Sequence, residues 1–286
     1  MNELIKTVTM GDTQYPPLLR TIPDPPEVLY YIGDLSIASR RAVAIVGSRH
    51  ASEYGKWASY NAAKRLSESG VVVVSGMAEG CDSFAHQGAL EGNTPTIAVL
   101  GCGPDICYPR SAARLREKIL YGGLLLSEYP PGTRPALFTF PARNRIISGL
   151  SAATIVAEAG ISSGSLITAE RAAEQGREVY AIPGNINRKN SVGANKLIRD
   201  GAKPLVLLSD ILEDMGISWT ADETDKAELS EDERRVFKVV RENGELSIED
   251  VAILTKMPIS TVTAIVTILE MKGRISFYSG KIIIIH

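Results

Sequence analysis

Val43-Ala44-Ile45-Val46-Gly47-Ser48-Arg49 is the stretch that decides the fold. Its first four residues are all apolar, with no polar alternate, so it reads as a strand buried on both faces, halted by glycine. The same pattern recurs at Val71–Val74 before Ser75-Gly76, Thr96–Leu100 before Gly101, Gly123–Leu126 before Ser127-Glu128 and Ala153–Val156 before Glu158-Ala159. Glu178–Ile182 before Pro183-Gly184 and Leu205–Leu208 before Ser209-Asp210 close the series. Most of these runs lead into helical periodicity. Continuous apolar strands alternating with helices predict an α/β, doubly wound, mainly parallel sheet, with a ligand site beyond the strands' carboxyl ends.

On that edge, the loop Gly47-Ser48-Arg49 offers a glycine that a phosphate could approach, a hydroxyl and a bidentate guanidinium. It reads equally as a tight βα turn with an exposed arginine. Ser163-Gly164-Ser165 precedes a helix start, where free backbone N–H groups suit an anion. Phe138-Thr139-Phe140-Pro141-Ala142-Arg143-Asn144-Arg145 opens another helix with two cations facing the positive end of its macrodipole. On a helical wheel Arg143, Ile146, Ile147 and Leu150 share one face and Arg145 lies opposite. The compensating anion is either an acid of the chain, such as Glu128 or Glu158, or a phosphate-bearing ligand with Phe138 or Phe140 stacking on a base.

The chain has 286 residues, 44% hydrophobic and 22% charged, with a formal net charge of −2. That size suits one medium domain plus a small one. The charge leaves room for a local basic patch but not for non-specific coating of nucleic acid. No apolar core of a signal sequence opens the chain and no run has membrane-spanning length, so no membrane insertion and a cytoplasmic location are expected. Cys81, Cys102 and Cys107 read as free thiols, and the scattered histidines argue against a metal site.

Domain organisation is read as follows. Residues 1–38 form a proline-rich arm lying against the main domain, residues 39–218 the main domain, and acidic residues 219–227 a linker. Residues 228–286 hold three helical segments, Ser230–Asn243, Ser247–Thr255 and Ser260–Lys272, then strands Arg274–Tyr278 and Lys281–Ile285 joined by Ser279-Gly280. Three helices and a hairpin predict a winged helix-turn-helix. Ile259, Val262, Ile265, Val266 and Leu269 are its third helix's packing positions. The outward ones, Ser260, Thr261, Thr263, Thr267 and Glu270, lack the Arg, Lys, Asn and Gln that read duplex DNA, which favours a protein-contact or structural role.

Familiar nucleotide fingerprints fail. Trp57 occupies the Ser/Thr position of a P-loop, and Gly101-x-Gly103 lacks the third glycine of a dinucleotide loop. Neither ATP hydrolysis nor NAD binding is expected, and no cofactor is assigned. Asp82 reads as a helix cap pairing with His86 four residues on. No catalytic residues are assigned.

Taken together, the motifs resemble the DNA-processing protein A (Smf) family of bacterial recombination mediators. They are Tyr15–Leu35 (YPPLLRTIPDPPEVLYYIGDL), Val43–Arg49, Ser75–His86 (SGMAEGCDSFAH), Ala98–Pro109 (AVLGCGPDICYP) and Leu124–Pro135 (LLLSEYPPGTRP). Phe140–Ser151 (FPARNRIISGLS), Ser163–Gly184 and Gly193–Ala202 complete the set. The resemblance implies an extended Rossmann-like domain whose basic pocket binds single-stranded DNA, self-association as a homodimer, and loading of the RecA recombinase during natural transformation. Carried onto this chain, the nucleic-acid-binding residues are Ser48, Arg49, Phe140, Arg143, Asn144 and Arg145, joined by Gly164 and Ser165 from the residue reading. Ala142 and Glu79 stand where relatives often carry a base, so the pocket is expected to rest on Arg49, Arg143 and Arg145. Leu197-Ile198 and Ile211-Leu212 read either as a dimer face or as core. The rival reading is a nucleotide-processing enzyme of the lonely-guy phosphoribohydrolase type, with Ser163–Ser165 holding phosphate and Glu170 as acid/base; the chain lacks that family's PGG-x-GT motif.

Overall fold

A computed structural model describes residues 4–217, 229–272, 274–278 and 280–284. The chain divides into two compact units, residues 1–217 and 218–286. The expected linker at 219–227 lies outside the described residues.

The first unit holds strands β1 (Lys6–Thr9), β2 (Val28–Gly33), β3 (Ala42–Val46), β4 (Val72–Ser75), β5 (Thr96–Leu100) and β6 (Leu124–Ser127). They are followed by β7 (Ala153–Val156), β8 (Glu178–Ala181) and β9 (Lys203–Pro204). Its helices are α1 (Pro17–Arg20), α2 (Glu53–Glu68), α3 (Cys81–Leu90), α4 (Ala113–Gly122), α5 (Thr139–Gly149), α6 (Ser165–Glu174), α7 (Val192–Arg199) and α8 (Asp210–Asp214). One sheet runs β1-β2-β6-β5-β4-β3-β7-β8-β9. From β6 to β9 every pairing is parallel, while β1–β2 and β2–β6 are antiparallel. Every residue of β3 to β7 is buried, as continuous apolar runs require of a sheet covered on both faces.

Strands β4, β5 and β6 are laid successively to one side of β3, and β7, β8 and β9 to the other. The direction of winding therefore reverses between β3 and β7. A crevice opens outside the carboxyl ends at such a reversal, and the loops after β3 and β7 form its walls.

Three expectations change. The amino-terminal arm does not merely lie on the domain: its β1 and β2 extend the sheet, with Tyr30 opposite Ser127 and Gly33 opposite Leu124. Its prolines fall outside those strands, Pro17 at the start of α1 and Pro23, Pro25 and Pro26 ahead of β2, where no ladder hydrogen bond is lost. Leu205–Leu208 is not a strand. Asp210 Oδ2 accepts hydrogen bonds from the backbone N–H groups of Val206 (2.9 Å) and Leu207 (2.8 Å), folding the segment into the start of α8, and pairing stops at Pro204. Ile211 and Leu212 are fully buried core rather than a dimer face, and Leu197 and Ile198 pack partly buried against the core.

The second unit has helices Glu231–Asn243, Ile248–Thr255 and Ile259–Met271, then β10 (Ile275–Tyr278) paired antiparallel with β11 (Lys281–Ile284). The first two helices begin with capping boxes, Ser230 with Glu233 and Ser247 with Asp250. Val236, Val240, Val251, Val262, Val266, Leu269, Ile275 and Ile282 form its core. Ile259, expected to pack, is 54% exposed at the first position of its helix. No single helix among the described residues is long and apolar enough to cross a membrane.

Candidate nucleic-acid interface

A cleft of about 490 Å³ occupies the reversal point. Its walls are Val46–His50 after β3, Gly160 and Ser162–Ser165 after β7, and Phe140, Pro141, Arg143 and Asn144 of α5, with Asn190 at one margin. The charged side chains lining it are Arg49, Arg143 and Asp82. Two guanidinium groups against one carboxylate leave one positive charge in excess, which favours an anion in a partly desolvated crevice.

The two cations differ in exposure. Arg143 is only 4% exposed. It points inward, as its wheel position requires, and its Nη1 donates to the carbonyls of Gly76 (2.9 Å) and Val99, at the ends of β4 and β5. Gly76 makes room for it, since a Cβ there would lie 2.6 Å from both terminal guanidinium nitrogens. Burial lowers the Arg143 pKa, opposed by Asp82, and Arg49 lowers it further. Burial likewise raises the Asp82 carboxyl, with Arg143 and the N–H groups of Ala78 and Gly76 pulling it down. Arg143 thus forms the polar floor of the cleft and braces two strand ends.

Arg49 is exposed at the rim, its guanidinium 5.1 Å from the centroid of the Phe140 ring. A cation over a ring face is held without an anion, so its N–H groups stay available to a ligand. Phe140 in turn lies against Gly101, where a Cβ would be 2.8 Å from its ring, and 5.4 Å from the Tyr108 ring. Thr139 fixes this turn of α5 by donating to the Gly101 carbonyl at 2.6 Å. Arg49, Phe140 and Tyr108 therefore form one cation–aromatic rim.

Ser48 is bound on both sides, its N–H to the Glu158 carbonyl (2.8 Å) and its carbonyl to the Cys81 N–H (3.1 Å). Gly47 is demanded by the chain's own packing: a Cβ would sit 2.5 Å from Cys81 Sγ and 3.0 Å from the Glu158 carbonyl. Gly164 is the opposite case, with nothing within 4 Å of a Cβ, so the space beside it is open. Ser165 heads α6 with its hydroxyl 2.8 Å from that of Ser163, and the helix's positive end faces the cleft. Asn144 spans the gap, accepting from Arg143 Nε and donating to the Gly164 carbonyl, both at 3.3 Å.

Arg145 is not part of this cleft. It is half-buried and bound to acids of the chain, Asp24 at 3.0 Å and Glu128 at 2.5 Å. Because α5 begins at Thr139, Arg143 and Arg145 lie in its second turn rather than its first, and of the two partners considered for Arg145 an internal acid is the one found. Glu158 instead accepts from the backbone N–H (2.8 Å) and hydroxyl (2.5 Å) of Ser52 and so fixes the start of α2. Asp82 does not cap α3, whose N-cap is Gly80; it accepts from the Gly76 N–H at 3.1 Å. Nor does it pair with His86. That ring is buried, contacts Thr96 Oγ1 at 2.8 Å, and is pushed down to a pKa of about 3 by burial and Arg143, so it carries no charge. Glu170 is exposed and does not line the cleft. Tyr108 and Asn190 escaped the sequence reading, although each lies on a strand-end loop of the edge it singled out.

Residues 6–216 match the family described as DNA recombination-mediator protein A, and residues 220–281 match the DprA winged helix domain. The DNA processing protein DprA of Streptococcus pneumoniae is 47% identical over 201 residues, 70% of this chain and 71% of the relative. The chain belongs to the DNA recombination-mediator protein A family. The DprA of Bacillus subtilis is 42% identical over 74% of this chain and 71% of its own length. Solved structures of the family align with this chain. The S. pneumoniae DprA structure covers 76% of this chain and 75% of its own at 44% identity and a TM-score of 0.71. That of Helicobacter pylori, described for its single-stranded DNA binding mode, covers 75% of this chain and 96% of its own at 30% identity and a TM-score of 0.68.

Proposed function

We propose that this family member binds single-stranded DNA in the β3/β7 cleft and acts as a recombination mediator without chemistry of its own. The carrying observation is the excess positive charge at the reversal point, with Arg49 free at the rim beside two aromatic rings. Phosphates would be met by Arg49 and by the open backbone around Gly164, with the α6 dipole behind it. Tyr108 (41% exposed), with Phe138 (73% exposed) nearby in sequence, offers a face on which unpaired bases stack, while half-buried Phe140 holds Arg49 beside it. Bases within a duplex are already stacked, so this rim favours single strands.

Arg143, Asn144 and Ser48 shape the site, and Arg145 acts on it from outside. Loading of the RecA recombinase, homodimer formation, a cytoplasmic location and a part in natural transformation belong to the same proposal; what supports them is family membership. Glu170, the acid that the phosphoribohydrolase reading needs, lies outside the cleft, which weighs against that reading.

The test is an anisotropy titration with matched single- and double-stranded oligonucleotides at two salt concentrations. Tighter binding of the single strand, weakening as salt rises, is expected. Equal affinity for both forms, or release of free base from a nucleoside monophosphate, would overturn the proposal.

A further inference from the structure

The helix α4 and the 3-10 turn that leads into it, Arg110–Ala112, carry a row of cations that the cleft does not use. Arg110, Arg114 and Lys118 recur every four residues, Tyr121 follows three later, and all four are exposed. Tyr121 is 97% exposed, so its ring covers nothing. The three cations make no ion pair among the described residues.

Their placement is locally unfavourable. Like charges four apart on a helix repel. The first turn of α4 contains no acid, and its N-cap, Ala112, offers no side-chain hydrogen bond, so Arg114 meets the positive end of the dipole uncompensated. Glu117, the acid within α4, is three residues on from Arg114 and neighbours it, but lies about 100° round the helix from Lys118. An anion from outside would relieve all three cations together.

The row also begins at the cleft. Tyr108, whose ring packs against Phe140, precedes Arg110 by two residues. The helix then crosses from the carboxyl end of β5 toward the amino end of β6, parallel strands that are neighbours in the sheet. From Arg114 to Tyr121 it covers roughly 10 Å at 1.5 Å per residue.

We infer that Arg110, Arg114, Lys118 and Tyr121 form a second tract for single-stranded DNA, taking the strand from the cleft at Tyr108 down the flank of the domain. Its chemistry is that of a phosphate track ending on an aromatic platform. This inference rests on the cleft reading, and the experiment separates the two.

Full-length protein is titrated with fluorescent oligothymidylates of about 5 and about 20 nucleotides, bracketing the roughly 4–16 nucleotide sites of single-strand grooves. The variants are Arg49→Ala, Arg114→Gln/Lys118→Gln and Tyr121→Ala, each checked by thermal melting. The double variant should bind the long strand about tenfold more weakly, with the salt slope reduced by roughly 1.4 for two lost phosphate contacts. It should bind the short strand as wild type does. Tyr121→Ala should weaken the long strand alone, without altering the slope. The tract is overturned if the double variant binds the long strand as wild type does while Arg49→Ala loses the short one. It is also overturned if long and short strands weaken equally. Failure of the wild type to bind either strand removes the cleft reading, and this inference with it.

Discussion

The floor and the rim of the cleft use the same residue type in opposite ways. At the floor, Arg143 is buried, hydrogen-bonded to two strand-end carbonyls and set against Asp82, so its charge is spent on the fold. At the rim, Arg49 rests over Phe140 and keeps its donors free. Burial, not residue identity, separates a brace from a contact. Gly47, which looked like an approach for a phosphate, is instead filled by the chain's own Cys81 and Glu158, while Gly76 and Gly101 seat Arg143 and Phe140.

The sharpest way to break that contrast is at the floor. Arg143→Ala strands a buried carboxylate and two carbonyls, so it should cost about 3–5 kcal/mol of stability by urea unfolding. A loss below about 1 kcal/mol, within the range of surface changes, would show the floor is not a brace. The neighbouring His86 sharpens the same point through pH. Its pKa in the fold, about 3, lies below the 6.5 of an ordinary imidazole, so the unfolded chain binds the extra proton. Its contribution is therefore intact above about pH 6.5 and falls as pH drops toward 3, by up to about 1.4 kcal/mol per pH unit. His86→Gln should flatten that part of the stability–pH curve, and an unchanged slope would place the titration elsewhere.

Arg145 lies outside both regions, bound to acids of the chain. Removing it should cost about 1.5–3 kcal/mol, the usual range for hydrogen bonds to charged groups. Because it ties α5 to Asp24 and Glu128, amide exchange at Tyr15 and Thr21 should speed up in Arg145→Ala. Exchange unchanged in that segment would show that the arm is held without it.

Much of the fold was legible because burial on both faces leaves its mark on every residue of a strand, as in Val43–Val46. The short edge strands were harder: β1 buries only Val8 of its four residues, β2 is half partly exposed, and prolines lie between them, so they resemble an arm. Leu205–Leu208 failed for the reverse reason, since apolar content alone does not reveal that Asp210 folds the segment into a turn. At the site, the helical wheel separated Arg143 from Arg145 correctly. It could not name their partners, because Gly76 and Val99 lie 67 and 44 residues from Arg143, and Asp24 lies 121 from Arg145. Tyr108 carried no signal of its own; only the packing of Phe140 brings it to the rim.

The central claim is that the exposed arginine, not the buried one, meets the DNA. It is tested most directly by Arg49→Ala, measured for both stability and affinity on one short single-stranded oligonucleotide. The expected result is stability within about 0.5 kcal/mol of wild type, as for a surface change. Affinity should fall about tenfold, with a salt slope lower by roughly 0.7 for one lost phosphate contact. Wild-type affinity and slope in that variant would contradict it.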